Sequence, residues 1–227
     1  MQRVAKCMIM IKPYYQDEWV TLYNGDCREI LSEFPDKSID IILTDPPYGL
    51  SWHSGHYVGY NPHKDIANDD KYPVEIITEF QRIAIGALLL FCRWDNLGEL
   101  PPPKSFIVWN KNNGSGSGNI EHEYNRKWEG IVFYPLENHQ FNSRPFDVIN
   151  CDRTGNKLHP TEKPEELISK LILHNKGDLI LDPFLGSGTT CYCAKKLGRK
   201  SIGIEIEEKY CEIAAKRCSQ SVMKLEV

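Results

Sequence analysis

Several things are scarce in this 227-residue sequence. None of its eight cysteines forms a CxxC pair, and no His/Cys cluster has zinc-finger spacing, which excludes a structural zinc module. Cys191 and Cys193 come closest, but residues two apart on a helix point to different sides. The cysteines therefore read as free, buried or half-buried thiols in a reducing cytoplasm. No metal is expected. No apolar run approaches the roughly 18 residues that span a bilayer. The longest stretch, around Ile85 to Cys92, is about half that and is interrupted by Gly86. The N-terminus lacks the full apolar core and small-residue cleavage site of a signal peptide. No repeat is visible, and Asn112 to Gly118 is the only linker-like tract. Excess charge of one sign is missing too: 27 Lys and Arg against 31 Asp and Glu leave −4, so any nucleic-acid site must rest on a local surface. What is present, 41% hydrophobic and 26% charged residues, is ordinary globular composition. It fits one α/β domain spanning 1–227 with a modest insertion.

The pattern alternates. Trp19–Tyr23 reads as a strand, Asp26–Phe34 as a short helix, and the near-continuous apolar run Ile39–Thr44 as a strand buried on both faces. A helix over Val74–Ile85 precedes a strand over Ala87–Cys92, and further strands fall at Ser105–Trp109 and Gly130–Tyr134. Residues 136–158 show no period and read as irregular. Pro164 opens a helix with Glu165 and Glu166 in its first turn and the stripe Leu167, Ile168, Leu171, Ile172; Gly177 follows its end. Strand Asp178–Leu181, helix Gly188–Leu197, strand Lys200–Ile206 and helix Glu208–Cys218 complete the chain. Such alternation implies a mostly parallel sheet covered on both faces, with ligands at the carboxyl ends of the strands. The segment 51–70, with Trp52, His53, His56, Tyr57 and Tyr60, reads equally as a lid or as a plain disordered loop.

Two strand ends carry chemistry. Asp182-Pro183-Phe184-Leu185-Gly186-Ser187-Gly188-Thr189-Thr190 follows a strand and opens a helix, so a ligand can approach its backbone closely. Glu205 ends the next strand, where an acid hydrogen-bonds ribose hydroxyls in nucleotide sites. The loop lacks Gly-Lys-Ser/Thr and a third small residue, so it is neither a phosphate loop nor a dinucleotide fingerprint. Two carboxylates and no lysine suit a positively charged nucleoside ligand. An ordinary strand–helix turn is the bland alternative. At the other end, Asp45-Pro46-Pro47-Tyr48 closes a buried strand. Asp45 and the Pro46 carbonyl are acceptors, Tyr48 is an aromatic face, and Pro–Pro supplies no N–H, so this site selects a donor such as an exocyclic amine. A strand terminator with a capping aspartate is the bland alternative here.

Together with Asn24-Gly25-Asp26-Cys27-Arg28-Glu29-Ile30-Leu31, Ile107-Val108-Trp109-Asn110-Lys111 and His159-Pro160-Thr161-Glu162-Lys163-Pro164, these motifs resemble the amino-methylating, S-adenosylmethionine-dependent DNA methyltransferases. Because DPPY precedes the glycine loop, the chain resembles the permuted, beta-class group; Asn110 departs from that family's usual acid. The resemblance covers roughly residues 19 to 218. It implies a Rossmann-like methyltransferase fold with permuted motif order, and N6-adenine methylation of double-stranded DNA by direct displacement on a flipped-out base. It implies catalytic roles for Asp45, Pro46 and Tyr48. It implies a cofactor site of Asp26, Cys27, Asp45, Thr161, Lys163, Asp182, Phe184, Gly186, Ser187, Gly188, Thr189, Glu205 and Ile206, with Glu205 on the ribose, Asp26 on the adenine amine, and Thr161 and Lys163 on the methionine carboxylate. S-adenosylhomocysteine would be the product. Asp26 as a plain helix cap and Lys163 as a solvated residue compete with these roles.

Residues 104–163 hold eight Lys and Arg against seven acids, a slight contrast with the rest of the chain. Within them 110–157, with Asn110, Asn112, Asn113, Asn142 and Arg144, is the candidate target-recognition insertion. A homodimer reading two half-sites and a restriction endonuclease partner are compatible with so small an insertion, and a bacterial or phage origin is expected. N4-cytosine methylation is the runner-up, and methylation of RNA or of protein glutamine is weaker. A catalytically silent DNA-binding subunit is the alternative of another class.

Overall fold

The apolar run at 39–44 forms strand β3 (Ile39–Thr44), with Ile39 and Ile42 packed to one side and Ile41 and Leu43 to the other. A strand apolar on both faces must be covered on both, and that requirement organises the chain around it. The computed structural model describes residues 11–49, 71–113, 122, 124, 127–155, 158–159 and 161–220. The expectations for 51–70 and for the Gly/Ser tract at 114–118 lie outside the described residues.

Before β3 come β1 (Tyr15–Gln16), β2 (Val20–Asn24) and helix α1 (Cys27–Ser32), whose N-cap Asp26 accepts from the Arg28 N–H at 2.9 Å. Caps of this kind stabilise a helix start by about 1 kcal/mol. The helix expected at 74–85 is a 3-10 turn (Val74–Ile76) running into α2 (Ile77–Ile83). It ends early because Ala84 already pairs with Ile39, so β4 (Ala84–Cys92) starts three residues before the expected position. Then follow β5 (Ser105–Asn110), β6 (Trp128–Pro135), β7 (Val148–Asn150), α3 (Glu165–His174), β8 (Leu179–Asp182), α4 (Thr189–Lys196), β9 (Lys200–Glu205) and α5 (Glu208–Ser219). Strand β7 corrects the reading of 136–158 as wholly irregular. At three residues it is too short to show a period, and it forms by pairing with β5.

The sheet order is β1-β2-β9-β8-β3-β4-β6-β5-β7. Strands β2, β9, β8, β3 and β4 are mutually parallel, while β6 runs against both β4 and β5. Helices α1 and α2 bury their apolar faces with Ile42, Leu88 and Leu90 on one side; α3 and α4 pack with Ile41, Leu43 and Leu89 on the other. The stripe Leu167, Ile168, Leu171 and Ile172 is fully interior. Burying four such side chains is worth roughly 1.5–3 kcal/mol each before entropy. Asp40 fixes the β8 register by accepting the Asp178 and Leu179 N–H groups at 2.7 and 2.9 Å. The seven described cysteines are free and buried, and no helix among the described residues is long and apolar enough to cross a membrane.

Candidate active site

Because five neighbouring strands are parallel, their carboxyl ends present one row: Asp26 after β2, Glu205 on β9, Asp182 on β8, Asp45 after β3, and Arg93 after β4. The chain order reverses between β8 and β3, the place where open α/β sheets bind ligands. A cavity of about 270 Å³ opens over the β2–β9–β8 ends, lined by Asp26, Cys27, Phe184, Gly186, Glu205 and Ile206, with Tyr210 among its walls. A smaller one of about 60 Å³ adjoins it and is lined by Asp45, Thr161, Lys163, Asp182, Ser187 and Thr189. His159, Phe184 and Gly186 line both.

The glycine loop is shaped for close approach. Gly186 has φ +53° and sends its N–H to Glu205 Oε2 at 2.7 Å; the Glu207 N–H reaches Oε1 at 2.8 Å. A carboxylate can accept about four hydrogen bonds, so Glu205 keeps acceptor capacity toward the cavity. Gly188 differs. It is left-handed at φ +82°, and its Cα faces Ala214 of α5 rather than either cavity. Behind the loop, Arg217 ties α5 to Glu162, Thr189 and Glu165 at 3.2, 3.1 and 2.9 Å. The His159 ring lies edge to face on Tyr210, centroids 4.4 Å apart, and Thr161 donates its N–H to Nδ1 at 3.3 Å. Asp26 is both the α1 cap and a cavity wall, and the adjacent Arg28 guanidinium holds its carboxyl below the usual range.

Three of the acids in the row, unlike Asp26, are disfavoured as anions by burial. Burial raises Asp182 to about 6 and pushes Asp45 and Glu205 upward as well. Three carboxylates whose charged form burial disfavours are stabilised as anions by a positive charge among them. The residues therefore fit a cationic sulfonium nucleoside, with a backbone cradle at Gly186, the Glu205 carboxylate and the aromatic walls Phe184 and Tyr210 around one cavity.

At the β3 end, Pro46 is buried and Asp45 has both oxygens engaged. Tyr48 OH donates to Oδ1 at 2.5 Å and the Lys163 ammonium to Oδ2 at 2.5 Å. Lys163, expected toward the cofactor's carboxylate, also lies 3.3 Å from Glu129 Oε2, and Glu129 Oε1 accepts from Lys111. Sequence reasoning did not single out Glu129 or Lys111 for the site. Nothing local signals them, since one is the second residue of β6, the other follows β5, and only the tertiary fold brings them to Lys163. Asn96 was missed as well; its amide donates to the Tyr48 carbonyl at 3.1 Å.

Of the polar residues named for target recognition, Asn110 donates to Asn150 at 2.7 Å, Asn113 accepts from the Arg153 N–H at 2.7 Å, and Asn142 donates to the Leu173 carbonyl at the end of α3, also at 2.7 Å. The span 110–157 also contributes β6 and β7 to the sheet.

Fold and site together define an S-adenosylmethionine-dependent methyltransferase. Comparison with known proteins narrows this. The family described as DNA methylase, covering N6 and N4 enzymes, matches residues 137–216. The Type II methyltransferase M.HinfI of Haemophilus influenzae is 31% identical over 253 residues, covering 92% of this chain and 70% of that protein. M2.LlaDCHI of Lactococcus lactis subsp. cremoris is 30% identical over 94% of each. The crystal structure of the M1.HpyAVI–SAM complex superposes with a TM-score of 0.70 at 26% identity, over 88% of this chain and 100% of that one. The chain belongs to the DNA methylase family and is an S-adenosylmethionine-dependent enzyme that acts on DNA.

Proposed function

We propose that the chain methylates the exocyclic N6 amine of adenine, in a base flipped out of the duplex. One observation supports this most: Asp45 and Pro46 sit at the end of β3 with no backbone N–H from the two prolines, beside the acidic cavity. An aromatic amine delocalises its lone pair into the ring and is a poor nucleophile. Two acceptors on its hydrogens, Asp45 and the Pro46 carbonyl, favour a pyramidal nitrogen with a localised lone pair. The bound cofactor supplies an electrophilic methyl group. Asp45 would offset the positive charge growing on nitrogen as the N–C bond forms and the methyl–sulfur bond breaks, with S-adenosylhomocysteine leaving and the surplus amine proton passing to solvent, and rigid positioning contributes much of the remaining acceleration. Tyr48 offers its ring to the extrahelical base. Burial pushes the Cys27 and Cys92 thiols up to about 12, so neither is a nucleophile near neutral pH, in keeping with direct displacement.

In this reading Glu205 takes the ribose, Asp26 the cofactor's adenine amine, and Cys27, Phe184, Gly186 and Ile206 line the nucleoside. Thr161, Ser187 and Thr189 take the methionine end, while Asp182 and Asp45 supply negative charge. Gly188 supports the loop from behind. A single domain with recognition carried by the non-sheet parts of 110–157 belongs to the same reading, as do a homodimer, a companion restriction endonuclease and a bacterial cytoplasm. Labelled S-adenosylmethionine and unmethylated duplex, followed by nucleoside digestion and mass spectrometry, test it. N6-methyldeoxyadenosine is expected. N4-methyldeoxycytidine would replace adenine with the runner-up, and cofactor binding without any DNA label would refute the reading.

A further inference from the structure

Four charged side chains from four parts of the chain form an alternating row in which both lysines are buried and both carboxylates half-buried. It runs from Asp45 after β3 to Lys163 before α3, then to Glu129 on β6 and Lys111 after β5. Lys163 and Lys111 are each only 8% exposed. Glu129 Oε2 is buried without a hydrogen-bond partner of good geometry, although the Lys163 ammonium is 3.3 Å away. Such an arrangement is costly to desolvate and is weak evidence for stability alone.

Its chemistry poses a problem that its geometry answers. A lysine bonded to the acceptor carboxylate would, by itself, cancel the negative charge that the developing ammonium needs. A second carboxylate on the same lysine restores that charge. We infer that Glu129 is a positioning residue for methyl transfer: by sharing the Lys163 ammonium with Asp45, it holds the lysine in place while leaving Asp45 net anionic toward the target amine. The inference rests on the amine-methylating reading above and adds a residue to it. With Lys111 on the other oxygen of Glu129 the row of four is neutral overall, but its charges alternate, so Glu129 offsets Lys163 and the negative end of the row lies at Asp45. The lysine is steered further by the faces of Phe91 and Tyr48, whose ring centroids lie 4.9 and 5.7 Å from Nζ.

The groups that act on Asp45 are Tyr48 from its own loop, Lys163, Glu129 from β6, Asp182 from β8, and the more distant Tyr72 and Cys92. Burial raises Asp45, Lys163 pulls it down, and Glu129 raises it again. Removing each partner therefore moves the acid limb of the kcat–pH profile in a direction of its own. Glu129→Gln keeps the shape and deletes the charge. It should lower kcat about tenfold, leave the calorimetric Kd for S-adenosylmethionine within about twofold, and shift the acid limb to lower pH. Lys163→Met should shift that limb to higher pH. A purely structural role would scale the rate and move neither limb. If Glu129→Gln does not fold by circular dichroism, Glu129→Leu combined with Lys111→Met, which removes the pair together, takes its place and should also move the limb downward, because Glu129 is the nearer charge to Asp45. With active wild-type enzyme, an unmoved limb, or shifts of the same sign in Glu129→Gln and Lys163→Met, overturns the inference alone. A wild-type chain that binds cofactor but labels no DNA overturns the methylation reading and the inference with it.

Discussion

At the scale of single residues, two acids of the same row should separate cleanly when mutated. Asp45 faces the smaller cavity with its oxygens on Tyr48 and Lys163. Asp45→Ala removes the acceptor and the negative charge without touching the nucleoside end. Transfer should fall by about 10²–10³-fold or more, the scale of losing an electrostatic group aimed at developing charge. Cofactor affinity should stay within a few-fold by calorimetry; collapse of both would mean that Asp45 holds the fold. Glu205 is the mirror case. Its oxygens collect the Gly186 and Glu207 N–H groups at 2.7 and 2.8 Å, so Glu205→Ala removes a ligand and also loosens the glycine loop. Cofactor Kd should rise about 10–100-fold, each tenfold step being 1.4 kcal/mol. An unchanged Kd would remove Glu205 from the site.

At the scale of elements, Gly188 is where the loop turns into α4. It sits at φ +82°, and a Cβ there would come within 2.8 Å of the Ala214 Cβ and 3.0 Å of its Cα. Gly188→Ala combines left-handed strain with a backbone clash that must push α5 away. The expected loss is about 2–4 kcal/mol of unfolding free energy, read from urea curves with an unchanged m-value. A loss under about 1 kcal/mol would show that the loop relaxes freely. The same loop illustrates what sequence alone could convey. β3, α3 and the acids ending β8 and β9 were legible because their pattern is local: an apolar run bounded by prolines, a stripe at helical spacing, a carboxylate where a strand stops. The end of α2 was misplaced because a nonlocal event, pairing of Ala84 with Ile39, terminates it. β7 was invisible because its partner β5 begins some forty residues earlier and its own three residues carry no period. Glu129 and Lys111 were missed as site residues for the same reason: strand pairing brings them together, and packing carries them to Lys163. Asn142 looked like a base reader by type, yet its amide closes the end of α3.

At the scale of the whole molecule, the folded chain holds carboxylates in places that disfavour their charge, and Asp182 shows the consequence. It is 4% exposed; its Oδ1 accepts from the Thr44 hydroxyl at 2.6 Å and the Phe184 N–H at 3.2 Å. Burial raises it from 3.8 to about 6. Well below pH 3.8 it is protonated in folded and unfolded chains alike, and its contribution to stability is fully present. As pH rises toward 6 the unfolded chain ionises first, so that contribution is lost. The full shift corresponds to about 3 kcal/mol, from 1.36 kcal/mol per unit. Asp182→Asn keeps the Oδ1 acceptor and never ionises. Relative to wild type it should gain stability between pH 4.5 and 7.5, by up to about 3 kcal/mol in urea unfolding without ligand. The gain should carry a functional loss. A cavity stripped of one negative charge should bind S-adenosylmethionine more weakly, and S-adenosylhomocysteine, which lacks the sulfonium charge, should lose less affinity. Calorimetry with both ligands at pH 7.5 measures this. Equal losses would mean that Asp182 acts through hydrogen bonding that the amide cannot reproduce, such as that with Thr190, rather than through its charge. Unequal losses would mean that the row of strand ends is kept acidic, at a cost in stability, for the positive charge it binds.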